Sequence, residues 1–175
     1  ESEAAEDNTC GRLEDGTVRC WGRNHAGPGG GKVNYRLGAD NPVERVASPI
    51  PATLTNIVDL GLGFGHSCAA DDTQRVFCWG VNLSGELGDG GNVSPPTPNL
   101  VASVSATSVA AGDGPSCAVT TDTEVWCWGY NQFGMLGVRD EVPTQGGFPA
   151  PVLSSGEAPL TGATMVTSGG VDDFM

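Results

Sequence analysis

The chain has 175 residues, a formal net charge of −13 and only eight Lys and Arg together. Phosphate backbones and anionic lipid are bound by clustered cations, so this composition excludes nucleic acid and charged membrane surfaces as leading partners. Twenty-seven Gly and twelve Pro separate short Val, Thr, Trp and Phe runs; this favours an all-β chain, and no stretch approaches the length of a membrane-spanning helix.

In chain order, the first nine residues, "ESEAAEDNT", are polar and read as a mature N-terminus or an arbitrary cut, without a signal peptide. The first patterned element is "NTCGRLEDGTVRCWGRN", residues 8–24. It returns as "HSCAADDTQRVFCWGVN" (66–82) and "PSCAVTTDTEVWCWGYN" (115–131). Six cysteines allow 15 pairings in principle. The constant ten-residue spacing inside each copy selects Cys10–Cys20, Cys68–Cys78 and Cys117–Cys127. Residues equidistant from Asp15, Thr73 and Asp122 face each other across a hairpin, close enough for a disulfide. Glu14-Asp15-Gly16 supplies a three-residue loop with Gly at the left-handed position, where the later copies carry Gln74 and Thr123. Zinc needs closer ligand pairs than these, and His occurs only as His25 and His66. Neither a metal site nor a cofactor is expected. Structural disulfides imply an oxidising compartment: secreted, periplasmic or cell-surface.

Trp21-Gly22, Trp79-Gly80 and Trp128-Gly129 follow the second cysteine, then Asn24, Asn82 and Asn131, then Leu37-Gly38, Leu87-Gly88 and Leu136-Gly137. Trp21, Trp79 and Trp128 read as packing each unit against the next one. Upstream of the second and third hairpins, "IVDLGLGFG" matches "TSVAAGDG", and "TMVTSGGVDDFM" (164–175) begins a fourth copy with Phe174 in place of a cysteine. A period near 50 residues with about four short strands signals a propeller, in which neighbouring blades cover each other's faces. The units run over 5–62, 63–111 and 112–168, with the partial fourth opening strand at 164–175, in one domain spanning 1–175.

The pattern G-x-x-H-S-C-A…V-x-C-W-G-x-N-x-x-G-x-L-G resembles the regulator of chromosome condensation (RCC1) repeat. His66, Ser67, Ala69, Val76, Trp79, Gly80, Asn82, Gly85, Leu87 and Gly88 carry it in the second copy. Ser116, Ala118, Val125, Trp128, Gly129, Asn131, Gly134, Leu136 and Gly137 carry it in the third. The resemblance implies a β-propeller, usually of seven blades, so about three blades and part of a fourth are expected to belong to a larger ring or assembly. The cysteine-paired form looks like secreted bacterial members rather than the nuclear exchange factor.

The first copy departs from this spacing. Eight residues are added within "HAGPGGGKVNYR", and they hold much of the chain's scarce positive charge. Extended loops often carry binding function, so Arg23, His25, Lys32, Tyr35 and Arg36 form the candidate binding loop. "AGPGGGKV" lacks the Ser or Thr that a phosphate-binding loop places after Lys, and "GLGFGH" opens no helix. His66-Ser67 belongs to the repeat and has no catalytic partner in register, so His66 reads as a structural hydrogen-bonding residue and no catalytic residues are assigned. Asp71-Asp72, Asp89 with Asn92, Asp113 and Asp172-Asp173 match no EF-hand spacing and read as exposed turn carboxylates. Asn82 and Asn92 open two sequons and are candidate glycan sites.

The expectation is therefore a non-catalytic extracellular scaffold that binds a protein partner or further copies of itself. The alternatives are a subunit of an extracellular filament or multi-protein assembly and, third, an exchange factor acting on a small GTPase.

Overall fold

A computed structural model describes residues 2–5, 8–24, 35–38, 45–51, 53–138, 145–155 and 157–169. Eleven strands and no helix occur among them. β1 (Ser2–Ala5), β2 (Asn8–Arg12), β3 (Val18–Arg23) and β4 (Arg45–Pro51) form the first antiparallel sheet in chain order. β5 (Ile57–Leu62), β6 (His66–Asp71) and β7 (Arg75–Gly80) are followed by β8 (Asn99–Ala111). β9 (Pro115–Thr120), β10 (Val125–Tyr130) and β11 (Gln145–Pro151) complete a seven-stranded sheet.

That second sheet is two blades sharing one strand. The first part of β8 pairs with β7 as the outer strand of the second blade, through Leu100, Asn99 and Ser105. From Ala106 it pairs with β9 as the inner strand of the third. The sequence units 5–62, 63–111 and 112–168 end on an inner strand, whereas each hydrogen-bonded blade begins with one. Residues 165–168 lie beside Ser108–Ala111 and Asp59–Leu62, and together they line a cavity of about 180 Å³ along the inner strands. Phe174 lies outside the described residues.

Each hairpin is stapled where its strands meet. Cys10 faces Cys20, Cys68 faces Cys78 and Cys117 faces Cys127, all disulfide-bonded with Cα atoms 4.1 Å apart. The turns keep one left-handed residue at a constant position: Gly16 (φ 74°), Gln74 (φ 67°) and Thr123 (φ 64°). Only glycine reaches this conformation without a Cβ clash. The hydrogen-bond pattern of the turn holds the other two side chains there, through Gln74 N to Asp71 O (2.9 Å) and Thr123 N to Thr120 O (3.0 Å).

The core lies between blades. Trp79 of the second blade is buried with Cys10, Cys20, Val18 and Leu37 of the first. Trp128 of the third is buried with Cys68, Cys78, Val76 and Leu87 of the second. The tryptophan thus packs back onto the preceding blade, which corrects the direction expected from sequence. The reason is the receiving turn. Leu37-Gly38 and Leu87-Gly88 form a socket whose glycine has positive φ, and a Cβ on Gly88 would stand 2.9 Å from the Trp128 indole nitrogen. Trp21 has no such socket among the described residues; it is half-buried and outside the core clusters.

Candidate protein-interaction rim

An antiparallel meander sends alternate connections to opposite ends of the blade. The hairpin turns at Asp15, Thr73 and Asp122 therefore share one rim. The β5–β6, β7–β8 and β8–β9 connections share the other, with Asn24 and residues 35–38 after β3 and residues 131–138 after β10.

The turn rim is polar and internally bonded. Asp15 accepts from Thr17 N (2.9 Å) and Thr17 Oγ1 (2.7 Å), and these bonds, led by the hydroxyl, lower its pKa. Asp71 departs from the expected exposed carboxylate: it is buried and organises its turn. It accepts from Thr73 N, Thr73 Oγ1 and Arg75 N, and pairs with the Arg75 guanidinium at 2.6 Å. Burial pushes its pKa up, but the bonds from Thr73 and Arg75 outweigh this and hold it below the usual value.

The loop rim is built on the repeated asparagine. Asn24, Asn82 and Asn131 each accept, through Oδ1, from the backbone N–H of Leu37 (3.2 Å), Leu87 (3.0 Å) and Leu136 (3.1 Å). The clamp is the same in the first copy, although eight more residues separate Asn24 from Leu37 there. In the second copy, Asn82 Nδ2 also donates to Asp89 Oδ1 (3.2 Å) and Val93 O (3.0 Å). With its side chain fully buried and its amide engaged, Asn82 is not open to glycosylation. Asn92 is exposed.

The candidate binding residues separate. Arg23 ends β3 and is half-buried, as is Tyr35, which has φ 50°. Arg36 is only 5% exposed. Its guanidinium donates to the Phe64 carbonyl (3.1 Å) and lies 5.8 Å from the Phe64 ring centre, which ties the first-blade loop to the second blade. His25 and Lys32 lie outside the described residues.

Sequence reasoning did not single out the exposed apolar side chains of this rim. Phe133, Val93, Leu83 and Phe148 are 78, 72, 69 and 68% exposed on this side; toward the turn rim Leu13, Leu160 and Val58 are 44, 42 and 47% exposed, and Met165, two residues past the Ala163 that bonds Thr123, is 70% exposed. The signal was present in outline: Leu83 and Phe133 stand between the clamp Asn and the turn Gly, where a solvated turn would carry polar residues.

His66 and Ser116 are brought together at 2.8 Å across the junction of the second and third blades. Ser116 Oγ donates to Glu86 O (2.8 Å), the carbonyl that also receives the Trp128 indole N–H (2.9 Å). Ser116 Oγ is thus bonded both to the carbonyl and to His66 Nε2, whose role in that bond follows the imidazole tautomer. Both side chains are buried, so the pair is a junction bond out of a substrate's reach. Burial, reinforced by the nearby Arg36 charge and opposed by the Pro115 carbonyl, lowers the His66 pKa to about 4. Burial also raises the Glu86 pKa, against the Ser84 N–H that its carboxylate accepts at 2.8 Å.

Four-stranded meanders whose shared core lies between blades, with the tryptophans of the second and third blades each seated on the blade before, define a β-propeller segment. The pattern of the regulator of chromosome condensation (RCC1) repeat matches residues 6–27, 57–86 and 106–134, and a second pattern of the same repeat matches 74–119. The chain belongs to the RCC1 repeat family. A 41-residue stretch is 42% identical to the protein pim1 of Schizosaccharomyces pombe, covering 23% of this chain and 8% of that protein. Prp20p of Saccharomyces cerevisiae superposes with a TM-score of 0.77 at 19% identity, over 97% of this chain and 41% of that one. Human WBSCR16 gives 0.72 at 19% identity, over 89 and 39%. The chain thus spans well under half the length of these relatives, and at such identities the likeness shows the fold.

Proposed function

We propose that this chain is a non-catalytic extracellular scaffold that holds a protein partner on its loop rim. The observation that carries this reading is the rim asymmetry: large apolar side chains stand exposed on the loop rim, opposite a rim of self-bonded polar turns. Exposed apolar groups gathered on one face mark interaction surfaces. Rigid blades hold those loops in place, and the disulfide in each blade suits an oxidising compartment. Prp20p, a relative by fold, is described by its binding to Gsp1p and histones, which supports protein partners as a class.

Residue-resolved cross-linking of the protein in its native preparation tests the rim. Partner cross-links are expected near Leu83, Phe133 and Phe148; cross-links confined to Glu14, Asp15 and Asp122 would overturn the assignment. The compartment is tested by alkylating the protein as it is isolated. All six cysteines should be protected, and free thiols would overturn the extracellular reading.

The half-buried Trp21 favours a second reading, a subunit of a larger assembly, since its counterparts are fully buried. Protection of Trp21 from oxidation in the native preparation supports assembly, and full reactivity opposes it.

A further inference from the structure

We infer that the loop rim carries a receptor groove for a Lys or Arg side chain of the protein partner, formed where the second blade meets β11. This rests on the scaffold reading above and specifies its contact. The groove is lined by Leu83, Ser84, Gly85, Gly91, Asn92 and Gly147, with Gly90 between the two sides, and encloses about 330 Å³. That lies at the low end of the ~300–1,000 Å³ typical of ligand sites, so it takes one long side chain rather than a cofactor.

Its construction is specific. Gly90 N donates to Gly147 O (2.7 Å), joining the two sides. The Phe148 ring lies over Gly90, where any Cβ would collide with it. Glycine backbone therefore forms the floor, the exposed Leu83 side chain lines one side, and the exposed Phe148 borders the groove where its ring meets Gly90.

The charge is equally one-sided. Among the described residues no Lys or Arg lines the groove, in a chain of net charge −13. Asp89 stands at its border, exposed, and is held in place through Oδ1 by Gly91 N (2.8 Å) and Asn82 Nδ2 (3.2 Å). Among the described residues its Oδ2 takes no hydrogen bond. A preoriented carboxylate oxygen, an exposed aromatic ring and an apolar wall together complement a long cationic side chain. The methylene stem lies along Leu83, and the charge meets Asp89 beside the exposed Phe148 ring. A neutral apolar side chain would leave the carboxylate unanswered, and an acidic one would be repelled.

Two measurements test this on the full chain. The first titrates three acetylated, amidated peptides, Gly-Phe-Lys-Leu-Gly and its Lys→Glu and Lys→norleucine forms, and follows the backbone amides of Leu83, Gly90, Gly91 and Gly147. The Lys peptide should shift these amides and bind roughly tenfold tighter than either control. Asp89→Asn, whose side-chain oxygen can still accept both internal bonds, should remove most of that preference without altering the fold. Equal binding of all three peptides, shifts confined to the turn rim, no binding, or an unaffected Asp89→Asn would overturn the groove. The second maps the native partner's cross-links in Asp89→Asn and in Asp122→Asn. Loss only in Asp89→Asn is expected. Unchanged cross-links on the loop rim would sink the groove and leave the scaffold reading standing, whereas absence of loop-rim cross-links in the unaltered protein would sink the scaffold reading itself.

Discussion

The two blade junctions follow one plan and differ in how they satisfy their polar atoms. At the second junction, His66 bonds Ser116, Ser116 bonds Glu86 O, and Trp128 shares that carbonyl. At the first, Trp79 N–H reaches Arg36 O (3.0 Å), but the positions of His66 and Ser116 are held by Asn8 and Ser67. Among the described residues, Asn8 Oδ1 and Ser67 Oγ are buried without hydrogen-bond partners. Buried unpaired polar atoms cost stability, so the apolar plug is common to both junctions while the polar lock is complete only in the second.

Removing a plug should have the largest effect. Trp128→Ala deletes a fully buried indole and leaves Glu86 O with Ser116 as its donor, so it should lower unfolding stability by about 3–5 kcal/mol. Trp79→Ala deletes an equally buried indole together with its bond to Arg36 O, so its loss should be at least as large. Urea unfolding of both variants checks the order. A clearly smaller loss for Trp79→Ala would mean that the polar lock, rather than the plug, decides how much each junction contributes.

Acid should separate the junctions next. His66 titrates near 4 when folded and near 6.5 when unfolded. Between those values the unfolded chain binds a proton that the folded chain refuses, so stability falls as pH drops from about 6.5 to 4 and levels off below. The full drop is about 3 kcal/mol. Asp71, whose folded pKa is depressed, contributes stability present above its unfolded value of 3.8 and lost only at lower pH. His66→Gln should abolish this fall, leave the opposed rise from Glu86, whose pKa is raised, and leave the Asp71 window intact. An unchanged pH profile would place the acid response elsewhere.

These differences explain what the sequence could reveal. The cysteine spacing, the Trp-Gly pairs and the Asn…Leu-Gly clamps recur because each blade repeats one local geometry, so strands, hairpins and sockets were legible. The packing direction was not, because Trp79 meets Leu37 across 42 positions and periodicity is symmetric about a blade. Arg36 looked like a binding residue because charge in a Gly-rich loop usually faces solvent; only the fold brings it under Phe64. Asp71 was hidden in the same way, as one acidic turn residue among several. The groove escaped notice because its two sides, Leu83–Asn92 and Gly147–Phe148, are more than fifty residues apart.

Completing the weaker lock should give a smaller gain. Asn8→His places at the first junction the residue type that bonds serine at the second, with Ser67 as acceptor. A gain of about 1 kcal/mol is expected from pairing one buried hydroxyl. A pH-dependent loss between 6.5 and 4 should appear with it, because a second buried imidazole would then resist protonation. A gain without that pH dependence would show that the new side chain packs but does not adopt the His66 environment.

The smallest effect lies in the hairpins. Thr123 is β-branched and left-handed, a combination that costs roughly 1–2 kcal/mol, whereas Gly16 holds the same position without strain. Thr123→Gly removes the strain but also loses the Gly162 N bond to Thr123 Oγ1 (3.1 Å) and adds freedom to the unfolded chain. The net gain should be about 0.5 kcal/mol, the difference between these opposed contributions. Gln74 has no such bond, so Gln74→Gly tests the strain more directly and should gain less than the full release, since Gln is unbranched at Cβ. A loss in both variants would mean that the turn geometry is imposed by its hydrogen bonds at no cost to these side chains, and that the glycine of the first hairpin confers no advantage.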